Sequence, residues 1–168
     1  MLCEYGGLWC DATLLCTSPE FPGYISTLPL FVFKSMDLSR LHQTPSVASN
    51  WCIAAQSNQR ILVMTRKLLY AYWEEKDSLD HYFIFHMFFA MAARKYADDW
   101  NAVPMFNNHS PHTLMFELED DFSEERWEQI MKMSDLHKLN HHLVHNEPKN
   151  TFYDHIISKY YPEGGETI

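Results

Sequence analysis

The sequence predicts an α/β fold of the doubly wound type with a helix-rich C-terminal half. Two glycines, Gly6 and Gly7, lead from the end of a helix into the apolar run 8–15, and glycine suits such a turn because it tolerates a positive φ. The run contains one charged residue, which is typical of a strand buried on both faces of a sheet. A second apolar stretch, 51–55, directly precedes a segment with helical spacing from residue 61 to residue 73.

Composition restricts the class of protein. The 168 residues suffice for one domain, and 46% hydrophobic and 15% aromatic residues supply a core. The formal net charge of -9 argues against a nucleic-acid partner and against an anionic membrane surface. The four cysteines lack metal-ligand spacing and are expected to be reduced, which favours the cytoplasm. The longest apolar run, 82–93, is too short to span a bilayer, so we expect no transmembrane segment.

A single carboxylate, Asp11, stands where the first predicted strand is about to end. In open α/β sheets, ligands bind outside the carboxyl ends of the strands. A buried charge at the end of such a strand lowers stability by several kcal/mol unless it is paired or binds a cation. Asp11 is therefore a candidate ligand-binding residue, and the alternative is an aspartate that caps the following turn.

The elements up to the third strand follow from turn residues and apolar runs. Residues 17–23 are rich in Ser, Pro and Gly and predict a loop. Residues 28–33 predict a second strand, and the polar, proline-containing stretch 34–49 predicts another loop. The small apolar residues of 51–55 predict a strand at the centre of the sheet.

Two helices are expected next. Residues 57–58, Ser-Asn, have the types that cap a helix, and apolar residues at helical spacing mark one face of residues 61–73. Residues 77–98 predict a second helix, whose first half is apolar nearly all round and is therefore expected to be buried.

Shorter elements complete the chain. We expect a short strand over 100–105, a loop over 107–111, and either a strand or a helix over 113–118. Ser123, followed by two glutamates in the first turn, predicts the start of another helix. A last amphipathic helix is expected near 152–159.

Four stretches together resemble the capsular polysaccharide synthesis protein family, relatives of the α-1,6-mannosyltransferases that carry an Asp-X-Asp motif. They are residues 5–13 (Tyr-Gly-Gly-X-Trp-X-Asp-Ala-Thr), 82–86 (Tyr-Phe-Ile-Phe-His), 108–112 (Asn-His-Ser-Pro-His), and 130–139, which ends in His-Lys-Leu. They occur in the family's order. The resemblance implies a GT-A-like, retaining glycosyltransferase. Such an enzyme moves a sugar from a nucleotide-diphosphate donor to a growing, possibly lipid-linked glycan in capsule or exopolysaccharide synthesis.

The resemblance also implies an organisation of the chain. Residues 1–145 would be a partial GT-A-like domain, and residues 146–168 a C-terminal helix and tail. The first visible strand already carries the ligand carboxylate, whereas a doubly wound sheet has strands before it. We therefore expect this chain to be the C-terminal portion of a longer transferase, cytoplasmic or peripheral at the inner face of the membrane.

The resemblance assigns roles to individual residues. Asp11 and His137 would hold Mn²⁺ or Mg²⁺, since hard cations bridge carboxylates and phosphates. Thr13 replaces the second carboxylate, so Asp11 would act alone on the metal or on the ribose hydroxyls, with Thr13 acting through water. His137 and Lys138 would close over the leaving nucleotide; the alternative is a solvated basic pair at a helix C-terminus. The predicted substrate-binding residues are Gly6, Gly7, Asp11, Thr13, Trp51, His86, Asn108, His112, His137 and Lys138.

The acceptor side is assigned more loosely. Asp80 or His81 would face the acceptor hydroxyl and, with Asp11, make up the predicted catalytic residues. His86, inside an apolar run, has the alternative of a hydrogen-bonded core histidine. Asn108 and His112 would bind sugar hydroxyls, or only support a turn.

Two other functions compete with the transferase. The replaced carboxylate, and His142 where a second basic lysine is expected, would also suit a non-catalytic remnant that binds a glycan or a protein. A zinc-binding helical module is the other alternative, because His137, His141 and His145 would share one helical face.

Overall fold

The computed structural model describes residues 1–34, 47–140 and 150–161. They form a mixed α/β structure of small sheets and short helices. The described strands are β1 Gly7–Cys10, β2 Leu14–Cys16, β3 Leu30–Lys34, β4 Ala48–Ala55 and β5 Leu136–Lys138. The described helices are α1 Leu2–Tyr5, α2 Gly23–Thr27, α3 Arg60–Glu75, α4 Ile84–Lys95, α5 Ala97–Ala102, a 3-10 helix Ser110–His112, α6 Thr113–Glu117, α7 Glu124–Met131 and α8 Phe152–Tyr160.

The chain divides into two compact units. The first unit comprises residues 1–12 and 22–108, and the second comprises residues 13–21 and 109–168. Each unit has its own hydrophobic core, and each is described by itself below.

The first unit contains a three-stranded sheet in the order β1-β4-β3. β4 is central, as predicted, because β1 and β3 pair with its two edges. Its last five residues, Trp51 to Ala55, are all buried, which shows that both faces of the strand are covered here. α4 packs against β4 and against α3, so one face of the sheet and the two helices share a core. That core includes Leu30, Val32, Ile53, Ile61 and Phe89.

The sheet differs from the predicted doubly wound arrangement. All pairings between the described strands are antiparallel, including β1 with β4 and β3 with β4. The apolar run 8–15 is not one buried strand: β1 ends at Cys10, residues 12–13 form a turn, and β2 belongs to the second unit. β1 is an edge strand, and Leu8 and Trp9 are 45% and 55% exposed. A short apolar run does not reveal such a break, because hydrophobicity alone does not fix strand length.

The start of α3 is also different from the prediction. Its cap is Gln59, whose side-chain oxygen accepts hydrogen bonds from the N–H groups of Ile61 and Leu62 at 2.7 and 3.1 Å. Asn58 instead has a φ of 59° and donates its N–H to the Cys3 carbonyl at 2.9 Å. The predicted cap at residues 57–58 is wrong because those residues form the tight turn before the helix.

The predicted helix over 77–98 begins later, at Ile84. Residues between α3 and α4 are held in a turn by the Tyr72 hydroxyl, which donates to the Ser78 carbonyl and accepts from the Asp80 N–H. The strand predicted over 100–105 is also wrong. Trp100 lies in α5, whose first turn carries two aspartates that favour the positive end of the helix dipole.

The second unit pairs β2 with β5 in a two-stranded antiparallel sheet. Its core joins Leu15 with Leu114, Trp127, Ile130 and Phe152. Ser123 caps α7 as predicted, with its hydroxyl accepting from the Arg126 N–H at 3.4 Å. The last helix, α8, is present where it was predicted and begins with a capping box. The segment 113–118 is helical over most of its length, which settles the alternative left open by the sequence.

Candidate functional site

Two of the resembling stretches meet in the second unit. The Nζ of Lys138 donates a hydrogen bond to the Oγ1 of Thr13, and the backbone N–H of Leu139 donates to the Thr13 carbonyl at 2.8 Å. The register of β2 and β5 causes this meeting, because Leu14 lies opposite Lys138. Both side chains are half-buried. The structure therefore places a cation beside the hydroxyl that replaces the second carboxylate, and we call these two residues the Thr13–Lys138 pair.

A third resembling stretch lies against the same strand. The 3-10 helix Ser110–His112 packs on β5, and its middle residue, Pro111, is buried. The His112 N–H donates to the His109 carbonyl at 3.0 Å, which closes the turn. His112 is consequently brought close to β5, and its predicted role in binding sugar hydroxyls stays a prediction.

His137 has a different environment from its neighbour Lys138. Its side chain is 0% exposed, and neither ring nitrogen has a hydrogen-bond partner among the described residues. Burial lowers its pKa to about 4; the Ser134 backbone, which is near the ring but outside good hydrogen-bond geometry, and the Asp135 charge oppose that shift. The ring is therefore neutral at pH 7. Successive side chains of a strand point to opposite faces, so His137 and Lys138 do not face one ligand together from β5.

The helical setting assumed for His137 is wrong, because His137 lies in β5 and not at the end of a helix. The zinc alternative needed His137, His141 and His145 on one helical face. The first of these is in a strand, and the other two, with His142, lie outside the described residues. Among the residues that the structure describes, no three His, Cys, Asp or Glu side chains are grouped to hold a metal.

Asp11 belongs to the first unit, where it is linked to two other predicted residues. Its backbone N–H donates to the Trp51 carbonyl at 2.8 Å, and the Trp51 Nε1–H donates to the Asn108 Oδ1 at 3.0 Å. Trp51 is buried and stacks on Phe33 with ring centroids 4.6 Å apart. Asp11, Trp51 and Asn108 thus form one hydrogen-bonded group, in which the Trp51 carbonyl holds the Asp11 backbone and the indole holds the Asn108 side chain. The predicted pairing of Asp11 with His137 joins the two units and stays a prediction.

The backbone conformation requires glycine at both Gly6 and Gly7. Gly6 and Gly7 have φ values of 68° and 105°, in the region that favours glycine. A Cβ at Gly6 would lie 2.6 Å from the Ala55 carbonyl oxygen and 2.8 Å from the Ser57 nitrogen. The predicted helix-to-strand turn is confirmed, and these contacts account for the glycines without a ligand.

The predicted acceptor residues precede α4. Asp80 is exposed and pairs with Lys76 at 3.2 Å. The Nδ1 of His81 accepts the Phe83 N–H at 3.0 Å, so the neutral ring carries its proton on Nε2.

His86 lies within α4, where it is buried between aromatic rings, and burial lowers its pKa. Its Nδ1 has no hydrogen-bond partner among the described residues, so it is a core histidine without the expected hydrogen bond.

The first unit also contains a cleft that sequence reasoning missed. Its volume is about 390 Å³, within the range of small-molecule sites. Trp9, Tyr70 and Phe85 contribute aromatic walls, and Asn50 and Arg66 contribute polar groups. We call it the aromatic cleft. Two of its lining residues, Trp9 and Phe85, lie in resembling stretches, but the sequence did not indicate that they line one cleft.

A second cavity of about 330 Å³ in the first unit is more polar. It is lined by Gln59, Arg60, Asp98 and Asp99, among others. Arg60 and Asp99 form a bidentate pair across it, and the Arg60 guanidinium lowers the pKa of Asp99. None of the sequence-predicted site residues lines either cavity.

The comparison with protein families decides the relationship. The family model of the capsular polysaccharide synthesis proteins matches residues 1–156. The chain belongs to this family. No curated protein and no solved structure matches it.

In this capsular polysaccharide synthesis protein the match contains all four resembling stretches and extends into α8. The membership confirms the resemblance at the level of the family. Among the described residues, no helix is long and apolar enough to cross a membrane.

Proposed function

We propose that this chain is the donor- and acceptor-binding part of a glycosyltransferase with a GT-A-like fold. It would transfer a sugar, with retention, from a nucleotide-diphosphate donor to a growing polysaccharide. Family membership supports a role in capsule synthesis. The observation that carries the proposal is the Thr13–Lys138 pair, because β2 and β5 bring two motif residues together that lie far apart in the sequence.

In this proposal Lys138 binds the diphosphate. An ammonium group is a compact point charge that suits phosphate oxygens, and Thr13 adds a hydroxyl beside it. When the bond between the anomeric carbon and the donor phosphate oxygen breaks, negative charge grows on the nucleoside diphosphate. A fixed cation next to that oxygen stabilises the charge, and electrostatic stabilisation of this kind is usually the largest single contribution to an enzyme's rate enhancement.

The predicted Mn²⁺ or Mg²⁺ is proposed to bind through Asp11. One carboxylate together with substrate phosphates and water is a common donor set for Mg²⁺. His137 fits less well, because it is fully buried and lies in a strand position that faces away from Lys138. When bound, the metal would neutralise charge on the diphosphate. In the proposed chemistry Asp11, and not His137, is the protein ligand of the metal.

The aromatic cleft is the proposed place for acceptor sugar rings. Sugar rings present C–H faces that pack on aromatic rings, and Trp9 and Tyr70 are both more than half exposed. Asn50 and Arg66 supply donors for sugar hydroxyls in the same cleft. We propose that Asp80 and His81 face the acceptor hydroxyl, because both are exposed. The Nδ1 of His81 accepts the Phe83 N–H, so Nε2, on the opposite side of the ring, is the nitrogen that would meet the acceptor.

A glycan-binding protein without transferase activity is the second candidate. Two observations favour it: the hydroxyl of Thr13 replaces the second carboxylate, and that hydroxyl already accepts a hydrogen bond from Lys138. Such a protein would use the aromatic cleft and need no nucleotide. Location in the cytoplasm, at the inner face of the membrane, belongs to the transferase proposal.

Isothermal titration calorimetry with UDP and with GDP, each in the presence of Mn²⁺, tests the proposal. Lys138→Ala should weaken binding about tenfold, which corresponds to about 1.4 kcal/mol. Lys132→Ala is the matched control, because Lys132 is exposed and pairs only loosely with Glu128 at 3.6 Å. Absence of binding to either nucleotide, with oligosaccharide binding retained, would overturn the transferase in favour of the second candidate.

A further inference from the structure

Two cysteines lie directly opposite each other in the sheet of the first unit. Cys10 in β1 is the register partner of Cys52 in β4. The Asp11 N–H donates to the Trp51 carbonyl at 2.8 Å, so the next residue pair is the hydrogen-bonded one. Because hydrogen-bonded and non-hydrogen-bonded pairs alternate, Cys10 and Cys52 form a non-hydrogen-bonded pair.

That position brings the two thiols within bonding reach. In non-hydrogen-bonded pairs of antiparallel strands the Cα atoms are about 4.5 Å apart. Disulfides span Cα separations of about 4.4–6.8 Å, so the backbone needs no large movement to accept one here. Both cysteines are free, and directly opposed residues of two antiparallel strands project their side chains from the same face of the sheet, so the two thiols lie on one side of it.

The two thiols differ in accessibility. Cys52 is fully buried, whereas Cys10 is half-buried at the end of the edge strand. Burial, and secondly the neighbouring Cys10, raise the pKa of Cys52 well above its ordinary value. An external reagent therefore reaches Cys10 first, and Cys52 is the thiol that resolves the intermediate.

We propose that Cys10 and Cys52 form a reversible disulfide by exchange with a low-molecular-weight disulfide such as oxidised glutathione. The Cys10 thiolate attacks one glutathione sulfur and releases one molecule of glutathione. The Cys52 thiolate then attacks the Cys10 sulfur of this mixed disulfide and releases the second. The protein loses two electrons and two protons, and oxidised glutathione is reduced to two thiols.

The bond would cross-link the edge strand to the central strand immediately before Asp11. Asp11 is itself held by the carbonyl of Trp51, the neighbour of Cys52, so oxidation fixes the backbone directly next to this contact. Disulfides in reducing compartments are usually transient and redox-sensing, and a pair opposed across two strands suits such a role. The inference is independent of the proposed transferase activity.

The experiment treats the folded protein with oxidised glutathione and measures its intact mass, followed by peptide mapping after alkylation. The expected product has lost two hydrogen atoms, carries no glutathione, and contains a peptide cross-linked between Cys10 and Cys52. Dithiothreitol should reverse the change, and the oxidised form should melt at a higher temperature because the cross-link restricts the unfolded chain.

Two variants serve as controls. Cys10→Ser should abolish the cross-link, and Cys16→Ser should leave it unchanged, since Cys16 lies in the second unit and its Sγ donates to the Ser18 carbonyl. Glutathione that stays attached to Cys10 in the wild-type protein would overturn the proposal. So would an unreacted Cys10–Cys52 pair under conditions in which the exposed thiols of the unfolded protein react. The wild-type readout decides the matter even where a variant folds poorly.

Discussion

β1 and β5 are both short strands that carry residues of the family's stretches, but they present them in opposite ways. β1 is an edge strand, and its Leu8 and Trp9 are about half exposed. β5 buries Leu136 and His137 completely and leaves only Lys138 partly accessible. Residues adjacent in a motif therefore need not share a ligand, because the alternation of a strand sends one to the core and the next to the other face.

The largest expected effect tests the buried side of this comparison. His137→Asp should lower the free energy of unfolding by about 3–5 kcal/mol, because it leaves an unpaired charge in the core. His137→Leu should change stability little, since it replaces an unpaired buried polar ring by an apolar group. Urea unfolding of both variants measures this difference. Equal and large losses in both would indicate that His137 makes a polar contact the stability depends on.

Acid should lower the free energy of unfolding because His137 becomes protonated when the protein unfolds. The pKa of His137 is lowered from 6.5 to about 4 by burial, so below pH 6.5 the unfolded state binds a proton that the folded state does not. Stability should be unaffected above pH 6.5 and fall by about 3 kcal/mol between pH 6.5 and pH 4. Denaturant unfolding at a series of pH values checks this.

His137→Leu is the control for the pH series, because it should remove that part of the acid loss. His86 and His155, whose pKa values are also lowered by burial, should leave a residual acid dependence. An unchanged pH profile in the leucine variant would show that His137 binds its proton equally well in the folded and unfolded states, so that burial does not lower its pKa.

The turn that leads into β1 gives a matched pair of variants. Gly6→Ala should destabilise by about 2–3 kcal/mol, because the new Cβ meets backbone atoms of residues 55 and 57 as well as an unfavourable φ. Gly7→Ala should cost about 1–2 kcal/mol, since it has the φ strain but open space around the Cβ. Thermal unfolding ranks the two. The reverse order would mean that the backbone at residue 6 relaxes easily.

Sequence reasoning recovered the elements whose signals are local. Gly6-Gly7, the central strand around Trp51 and the Ser123 cap each follow from a residue type in its place, and the structure confirms them. The break at Asp11 was not visible, because it depends on which strands pair, and pairing is set by contacts distant in sequence. The position of His137 in a strand was missed for the same reason: Leu15, its register partner, is far away in the chain.

In the candidate site, too, contacts between residues distant in the sequence could not be predicted from local patterns. The meeting of Thr13 with Lys138 follows from the register of β2 and β5, so spacing in the sequence could not give it. The resemblance to the family placed both residues in one site without that information. By contrast, the aromatic cleft brings together residues of β1, α3 and α4, and of its lining only Trp9 and Phe85 are in resembling stretches.

The smallest expected effect concerns the exposed side of the comparison. Trp9→Ala should weaken binding of an acceptor oligosaccharide by about 1 kcal/mol, the contribution of one exposed aromatic contact, with little loss of stability. Trp73→Ala is the matched control, because Trp73 is about equally exposed and does not line the cleft. Titration of the oligosaccharide against tryptophan fluorescence, or against heat, measures both. If the two variants bind equally well, the exposure of Trp9 is a property of an edge strand alone, and the acceptor must be sought away from β1.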